Sequence, residues 1–179
     1  NFELPINIVN VIAESMGSKI CYSLINQAIN LFFTIQLPVD NDNPISLKEY
    51  SFSRDKTILI VDDCRTNIDF MLSILNQYFD NIDTSYNGIE CLKKIESVTS
   101  RSKQYDLIII DSKMPYMDAK KVIQIIRNDL KLLNQKFLIM LSPEEFAYYK
   151  SLSNNEFEFI IEKPIIHTKF LEIIHSIIN

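Results

Sequence analysis

The sequence predicts an α/β fold in which a doubly wound five-stranded parallel sheet follows a small amino-terminal helix-plus-hairpin segment. The first observation is a pair of uninterrupted apolar runs, one at 58–61 that ends in Asp62 and Asp63 and one at 107–110 that ends in Asp111. Runs without polar alternation are typical of strands buried on both faces of a parallel sheet. The second observation is that strand-like and helix-like patterns alternate along this part of the chain, which is the order of right-handed βαβ units.

The composition is that of an ordinary globular protein and narrows the class of partner. At 179 residues and 47% hydrophobic content, the chain can bury one good core and part of another. The formal charge of −5, without a lysine or arginine cluster, argues against nucleic acid as a partner. Three cysteines, Cys21, Cys64 and Cys91, have no metal-ligand spacing and suit a reducing compartment. No apolar run approaches the roughly 20 residues that span a bilayer, so we expect a soluble cytoplasmic chain or the cytoplasmic part of a membrane-attached parent.

A short amino-terminal segment precedes the repeats. The spacing of apolar residues predicts a helix over 6–16 that stops at Gly17, and strand-like runs at 19–25 and 31–37 predict a hairpin. A helix and a hairpin of this size cannot form an independent core, so the segment must pack on other structure. Residues 38–55 are turn-rich and have little apolar periodicity, which indicates a linker.

Five strand–helix repeats fit the chain from residue 56 onwards. The predicted strands lie at 57–61, 82–86, 107–110, 137–141 and 157–161. The predicted helices lie at 66–79, 88–99, 118–130, 144–153 and 168–178. Apolar residues recur at helical spacing in the first and last of these helices, as at Phe70, Ile74, Phe170 and Ile174, and we assign them to the core. Gly88 opens the second helix, where its backbone freedom suits the turn.

Three carboxylates are predicted to meet at one edge of the sheet. Parallel strands end at the same edge, where open α/β sheets bind their ligands, so Asp62, Asp63 and Asp111 come together if their strands are neighbours. Such carboxylates repel one another and either hold raised pKa values or recruit a cation. Mg²⁺ prefers hard oxygen ligands of this kind. In the alternative, structural interpretation, Asp62 and Asp63 cap the following helix and Asp111 ends its strand by chance.

A hydroxyl and an ammonium group follow the last two strands. Ser142 comes directly after the strand at 137–141, and Lys163 comes shortly after the strand at 157–161. Metal, lysine and hydroxyl together neutralise the charge on the equatorial oxygens of a transferring phosphoryl group. Asp111 would then be the nucleophile that forms an acyl phosphate.

These residues carry a resemblance to a known family. Residues 56–179 resemble the receiver domain of two-component response regulators, particularly the receivers fused to hybrid histidine kinases. The matching segments are Val61-Asp62-Asp63-Cys64-Arg65-Thr66-Asn67, Asn87-Gly88, Asp111-Ser112-Lys113-Met114-Pro115-Tyr116-Met117-Asp118, Ser142 and Lys163-Pro164-Ile165. The resemblance implies a flavodoxin-like receiver fold that catalyses its own aspartyl phosphorylation and dephosphorylation with Mg²⁺.

The resemblance also implies a role for each site residue. It implies a magnesium site whose ligands are Asp62, Asp63, Asp111 and the carbonyl of Lys113. Asp111 is implied as the phosphoacceptor, Ser142 as the hydroxyl that moves toward the phosphoryl group, and Lys163 as the ion-pair partner of that group. The implied phosphodonor is a histidine kinase or a histidine phosphotransfer protein.

Several positions depart from the family pattern. Pro143 stands where the family normally offers a backbone N–H to the phosphoryl group, and proline has none. Ile160 stands where the family often has an aromatic residue that swings inward on activation. These two positions support an alternative, a pseudo-receiver that acts as a protein-binding module without phosphorylation. A second alternative is a magnesium-dependent phosphohydrolase, but it needs a carboxylate two residues after the nucleophile, where this chain has Lys113.

Residues 1–37 are similar to the tail of a histidine kinase ATP-binding domain. The similarity rests on the order helix, Met16-Gly17, strand and the segment at 31–38. The glycine-rich nucleotide lid is missing, so this remnant would not bind ATP alone. An ATP-binding remnant before a receiver is the order of a hybrid kinase, and no output domain follows the last predicted helix. We therefore expect a phosphorelay intermediate rather than a transcription factor.

Overall fold

A computed structural model describes residues 3–25, 28–34, 50–151 and 157–178. The chain divides into two compact units, Asn1–Ser46 and Leu47–Asn179. In the described residues, no helix is both long enough and apolar enough to cross a bilayer.

The first unit contains one helix and one hairpin, as the sequence predicts. Its elements are α1 (Glu3–Ser15), β1 (Cys21–Ile25) and β2 (Ala28–Phe32). Gly17 follows the helix at a φ of 72°, the left-handed conformation that commonly ends helices.

The predicted second strand at 31–37 is wrong in its bounds. All five residues of β1 pair with β2, from Ile25 opposite Ala28 to Cys21 opposite Phe32, so the strand ends there. Residues 35–37 of that prediction lie outside the described residues.

The second unit has the predicted α/β architecture. Its elements are β3 (Thr57–Val61), α2 (Arg65–Leu75), β4 (Asn81–Ser85), α3 (Gly88–Thr99), β5 (Leu107–Asp111), α4 (Ala119–Asn128), β6 (Phe137–Leu141), α5 (Pro143–Ser151), β7 (Phe159–Glu162) and α6 (His167–Ile178). The five strands are parallel and lie in the order β4-β3-β5-β6-β7. This doubly wound sheet confirms the predicted fold class.

Alternate residues of the central strands divide the core into two layers. Ile58 and Ile60 pack with α2 and α6 on one face, while Leu59 and Val61 pack with α3 and α4 on the other. All four side chains are fully buried. This two-sided burial explains why these strands show no polar alternation.

Two predicted elements extend too far along the apolar pattern. The first helix of this unit was expected to reach residue 79 but ends at Leu75, with Asn76 as its C-cap. Phe79 continues the apolar pattern of the helix because it packs in the core, although it lies in the turn after α2. The last strand was expected at 157–161, but Phe157 is a buried core residue outside the strand.

Gly88 is required by close packing rather than by backbone freedom. A Cβ at this position would lie 2.7 Å from Cγ2 of Val122 and 3.0 Å from Cβ of Met117. The side chain of Asn87 caps α3 by accepting a hydrogen bond from the Glu90 N–H at 2.8 Å. The absence of a side chain at residue 88 lets the start of α3 approach α4.

Aromatic residues extend the second unit into the predicted linker at 38–55. Of that linker, residues 38–49 lie outside the described part of the chain. The Phe52 ring lies 5.0 Å from the ring of Phe79, and the Tyr50 ring lies 5.4 Å from that of His175. These two residues therefore pack with the second unit, and the predicted start of the receiver domain at residue 56 stays a prediction.

We predict that Phe52→Ala destabilises the second unit. Loss of a half-buried aromatic contact should lower the free energy of unfolding by about 2 kcal/mol. The matched control is Phe70→Ala, since Phe70 is 44% exposed on α2. Chemical denaturation followed by circular dichroism would measure both changes. Equal effects of the two substitutions would contradict the packing role of Phe52.

Candidate functional site

The carboxyl ends of β3 and β5 bring three carboxylates together. The two strands are paired in parallel, with Val61 opposite Ile110, so the residues that follow them emerge side by side. One carboxylate oxygen from each of Asp62, Asp63 and Asp111 lies within 4.8 Å of the others. The structure therefore places these three predicted site residues in one cluster.

Asp62 is fully buried and is held by the start of α2. Its Oδ1 accepts a hydrogen bond from the Cys64 N–H at 2.8 Å. The Asn67 side-chain amide donates to both carboxylate oxygens at 3.1 Å. These bonds offset the loss of water that burial of a carboxylate requires. Sequence reasoning gave Asn67 no separate role, because its bond depends on how α2 starts after the turn.

Lys163 supplies positive charge to the cluster. Its backbone N–H donates to the Leu141 carbonyl at 2.8 Å, which fixes the residue beside the end of β6. Its Nζ lies 2.8 Å from Oδ1 of Asp111 and 3.5 Å from Oδ2 of Asp62. Burial raises the pKa of Asp111, although Lys163 acts in the opposite direction. Three ionised carboxylates and one ammonium leave two negative charges, which a divalent cation would neutralise.

Ser142 caps α5. Its hydroxyl donates to Oε2 of Glu145 at 2.9 Å, and its backbone N–H donates to the same oxygen at 3.0 Å. In return, the Glu145 N–H lies 3.4 Å from the Ser142 Oγ. This reciprocal pattern is a capping box, and Pro143 occupies the first helical position, where a missing N–H is not a loss.

Glu145 also contacts the segment that follows Asp111. Its Oε2 accepts a hydrogen bond from the Ser112 hydroxyl at 2.9 Å, and its Oε1 lies 3.5 Å from Nζ of Lys113. Burial opposes the charged form, but these partners and Ser142 outweigh it and hold the pKa of Glu145 below its usual value. The backbone N–H of Lys113 lies 3.4 Å from Oδ1 of Asp111. Glu145 thus connects Ser142 with the residues next to Asp111.

Sequence reasoning missed Glu145, although a signal was present. Residues 142–145 read Ser-Pro-Glu-Glu, which is a capping-box signature directly after an apolar strand. The side-chain contacts with Ser112 and Lys113 could not be predicted in this way, because they depend on the distance between two loops.

An open groove of about 580 Å³ borders the site. Its apolar lining residues include Phe70 of α2 and, after β7, Pro164 and Ile165. Lys163 is also part of its lining. The groove therefore connects an apolar surface with the charged cluster.

The comparisons with known proteins agree with this fold. The family model described as "Response regulator receiver domain" matches residues 58–175. The chain is 36% identical over 76 residues to "Probable histidine kinase 1" of Oryza sativa subsp. indica, which covers 42% of the chain and 7% of that protein. It is 32% identical over 74 residues to "Osmosensing histidine protein kinase SLN1" of Saccharomyces cerevisiae, which covers 41% of the chain and 6% of that protein. The matches thus span less than a tenth of these relatives.

Solved structures support the fold alone. A response regulator receiver domain protein from Clostridium thermocellum has a TM-score of 0.58 at 18% identity, over 69% of this chain and 94% of that one. The chemotaxis protein CheY4 of Vibrio cholerae has a TM-score of 0.54 at 21% identity, over 69% of this chain and 98% of that one. The likeness of residues 1–37 to a kinase ATP-binding tail lies outside the family match and stays a prediction.

We predict that Tyr116→Asn stabilises the protein. Tyr116 lies in the loop after β5 with a φ of 69°, a left-handed conformation that asparagine tolerates better than tyrosine. Tyr116 is also 95% exposed, so little packing is lost. The free energy of unfolding should rise by about 0.5–1 kcal/mol. Thermal melting would test this, with Tyr86→Asn as the control at an exposed tyrosine outside the left-handed region; an unchanged or lower melting temperature for Tyr116→Asn would refute it.

Proposed function

The chain belongs to the response regulator receiver domain family, and from that premise we propose that it accepts a phosphoryl group from a phosphohistidine onto Asp111 with Mg²⁺. The observation that carries the proposal is the cluster of Asp62, Asp63 and Asp111 within 4.8 Å, beside the ammonium of Lys163. A phosphorelay receiver of two-component signalling needs these groups at one place.

The residues fit a magnesium ion. The cluster offers hard carboxylate oxygens, and its excess negative charge favours a divalent cation. The proposed ligands are Asp62, Asp63, Asp111 and the carbonyl of Lys113. When bound, Mg²⁺ neutralises charge that develops on the oxygens of the phosphoryl group.

The transfer uses the Asp111 carboxylate as the nucleophile. Lys163 Nζ and the Lys113 N–H both contact Oδ1 of Asp111. They therefore orient the carboxylate so that its other oxygen, Oδ2, attacks the phosphorus. A bond forms between that oxygen and phosphorus while the bond between phosphorus and the donor's imidazole nitrogen breaks. The imidazole keeps the electron pair and is reprotonated from water. Lys163 then pairs with the phosphoryl oxygens, and Ser142 supplies a hydroxyl to them.

The phosphodonor is proposed to be a protein, either a histidine kinase or a histidine phosphotransfer protein. A donor histidine has to reach Asp111 from the surface, and the groove with Phe70, Pro164 and Ile165 lies beside the cluster. Its apolar lining suits the face of a partner helix. The net charge of −5 is a reason to expect no nucleic acid partner.

No specific observation favours the pseudo-receiver. Pro143, which supported it, has a structural reason as the first residue of a capped helix. Ile160 is half-buried and packs against the core next to α5. The phosphohydrolase alternative still meets Lys113 where it needs a second carboxylate.

We predict that Asp111→Asn abolishes phosphorylation. The unaltered chain, incubated with Mg²⁺ and a small-molecule phosphodonor, should gain the mass of one phosphoryl group, whereas the amide variant has no nucleophile. Asp118→Asn is the control, because Asp118 is an exposed carboxylate that caps α4 and is not a member of the three-carboxylate cluster. Intact-mass spectrometry reads the outcome. A phosphoryl mass that persists in Asp111→Asn would contradict the assignment.

We also predict that Mg²⁺ stabilises the folded protein. At ten times its dissociation constant, the ion should add about 1.4 kcal/mol to the free energy of unfolding, since it binds the native cluster. Asp63→Ala should remove most of this gain, while Asp69→Ala, which changes an exposed carboxylate on α2, should keep it. Melting curves with and without Mg²⁺ measure the shift. If both variants respond alike, Asp63 is not a ligand.

A further inference from the structure

We propose that Glu145 is a positioning residue that holds the Ser142 hydroxyl in the cap of α5, so that a phosphoryl group on Asp111 must compete with the cap for this hydroxyl. The inference rests on the proposed function, because it concerns the response of the same site. It goes beyond that function by assigning a role to a residue that does not belong to the carboxylate cluster.

The competition follows from the single proton of a hydroxyl. The Ser142 hydroxyl donates a hydrogen bond to Oε2 of Glu145 at 2.9 Å, and the Ser142 backbone N–H donates one to the same oxygen at 3.0 Å. A serine hydroxyl has one donor, so it cannot serve Glu145 and a phosphoryl oxygen at the same time. The hydrogen bond from the Ser142 hydroxyl to Glu145 therefore has to break before this hydroxyl can donate to the phosphoryl group.

The charges around Glu145 make the opening depend on phosphorylation. The Glu145 carboxylate also contacts Ser112 and Lys113, the two residues that follow Asp111. A phosphoryl group adds almost two negative charges there, which repel the carboxylate and attract the Lys113 ammonium. Without the phosphoryl group, the same contacts keep the cap closed.

Release of the cap would change the first turn of α5. Phe146 and Tyr149 of this helix pack against the core, so a shift of the turn reaches the packed face. A cavity of about 160 Å³ borders Glu145, with Leu141, Tyr149 and Phe157 in its lining, and offers room for such a shift. This response to phosphorylation would not need an aromatic side chain at position 160, where the chain has Ile160.

The test compares Glu145→Ala and Glu145→Gln in the full chain. The probe is beryllium fluoride with Mg²⁺, a stand-in for the phosphoryl group, and its affinity is read from the amide resonance of Ser142. Glu145→Ala should tighten binding about tenfold, the factor that corresponds to one lost hydrogen bond to a carboxylate. Glu145→Gln should lie between, because its amide oxygen still accepts but has no charge. Glu144→Gln removes an exposed charge from the next residue and should leave the affinity unchanged.

A double-mutant cycle separates this role from a merely structural one. In a Ser142→Ala background, Glu145→Ala should lose most of its tenfold effect, because the hydroxyl for which Glu145 and the phosphoryl group compete is gone. If Glu145→Ala binds the probe as the unaltered chain does, or more weakly, the role of Glu145 is overturned while the proposed function stands. If neither protein binds the probe, the proposed function is overturned, and this inference falls with it.

Discussion

The burial of carboxylates at the ends of two neighbouring strands is the constraint on which the rest of the site depends. Asp62 is fully buried and Asp111 is 7% exposed, so each needs hydrogen bonds or a counter-charge to remain ionised. Asn67 and Lys163 supply them from two different directions. The start of α2 and the residue that follows β7 therefore have to lie beside the carboxyl ends of β3 and β5.

Because these partners come from distant parts of the chain, the cluster depends on the completed sheet. Lys163 is 101 residues from Asp62, and β7 reaches β5 only across β6. Each parallel connection brings its strand end to the same edge, so the architecture concentrates polar groups there. The parallel arrangement of the strands thus determines both the topology of the sheet and the grouping of polar side chains at one edge.

The sequence was sufficient for the strands whose side chains are buried on both faces, such as β3 and β6, because their apolar runs are short, show no polar alternation and lie between helix-like patterns. It failed where packing continues beyond an element, as at Phe79 after α2 and at Phe52 before β3. The sequence predicted the cluster of three aspartates because these residues come at the ends of two apolar strands. Glu145 was missed because its partners depend on the separation of two loops, and the roles of all the site residues, from the three aspartates to Lys113, Ser142 and Lys163, remain predictions.

The capping box gives the helix α5 an influence over the site that is reciprocal by thermodynamic necessity. The Ser142 hydroxyl donates its hydrogen bond either to the cap or to the phosphoryl group. Any molecule that binds the capped first turn of α5 therefore lowers the affinity of the site for the phosphoryl group. A molecule that grips the uncapped turn raises that affinity by the same factor with which phosphorylation favours its binding. A contact at α5, remote from Asp111, would therefore shift the same equilibrium as the proposed phosphorylation itself.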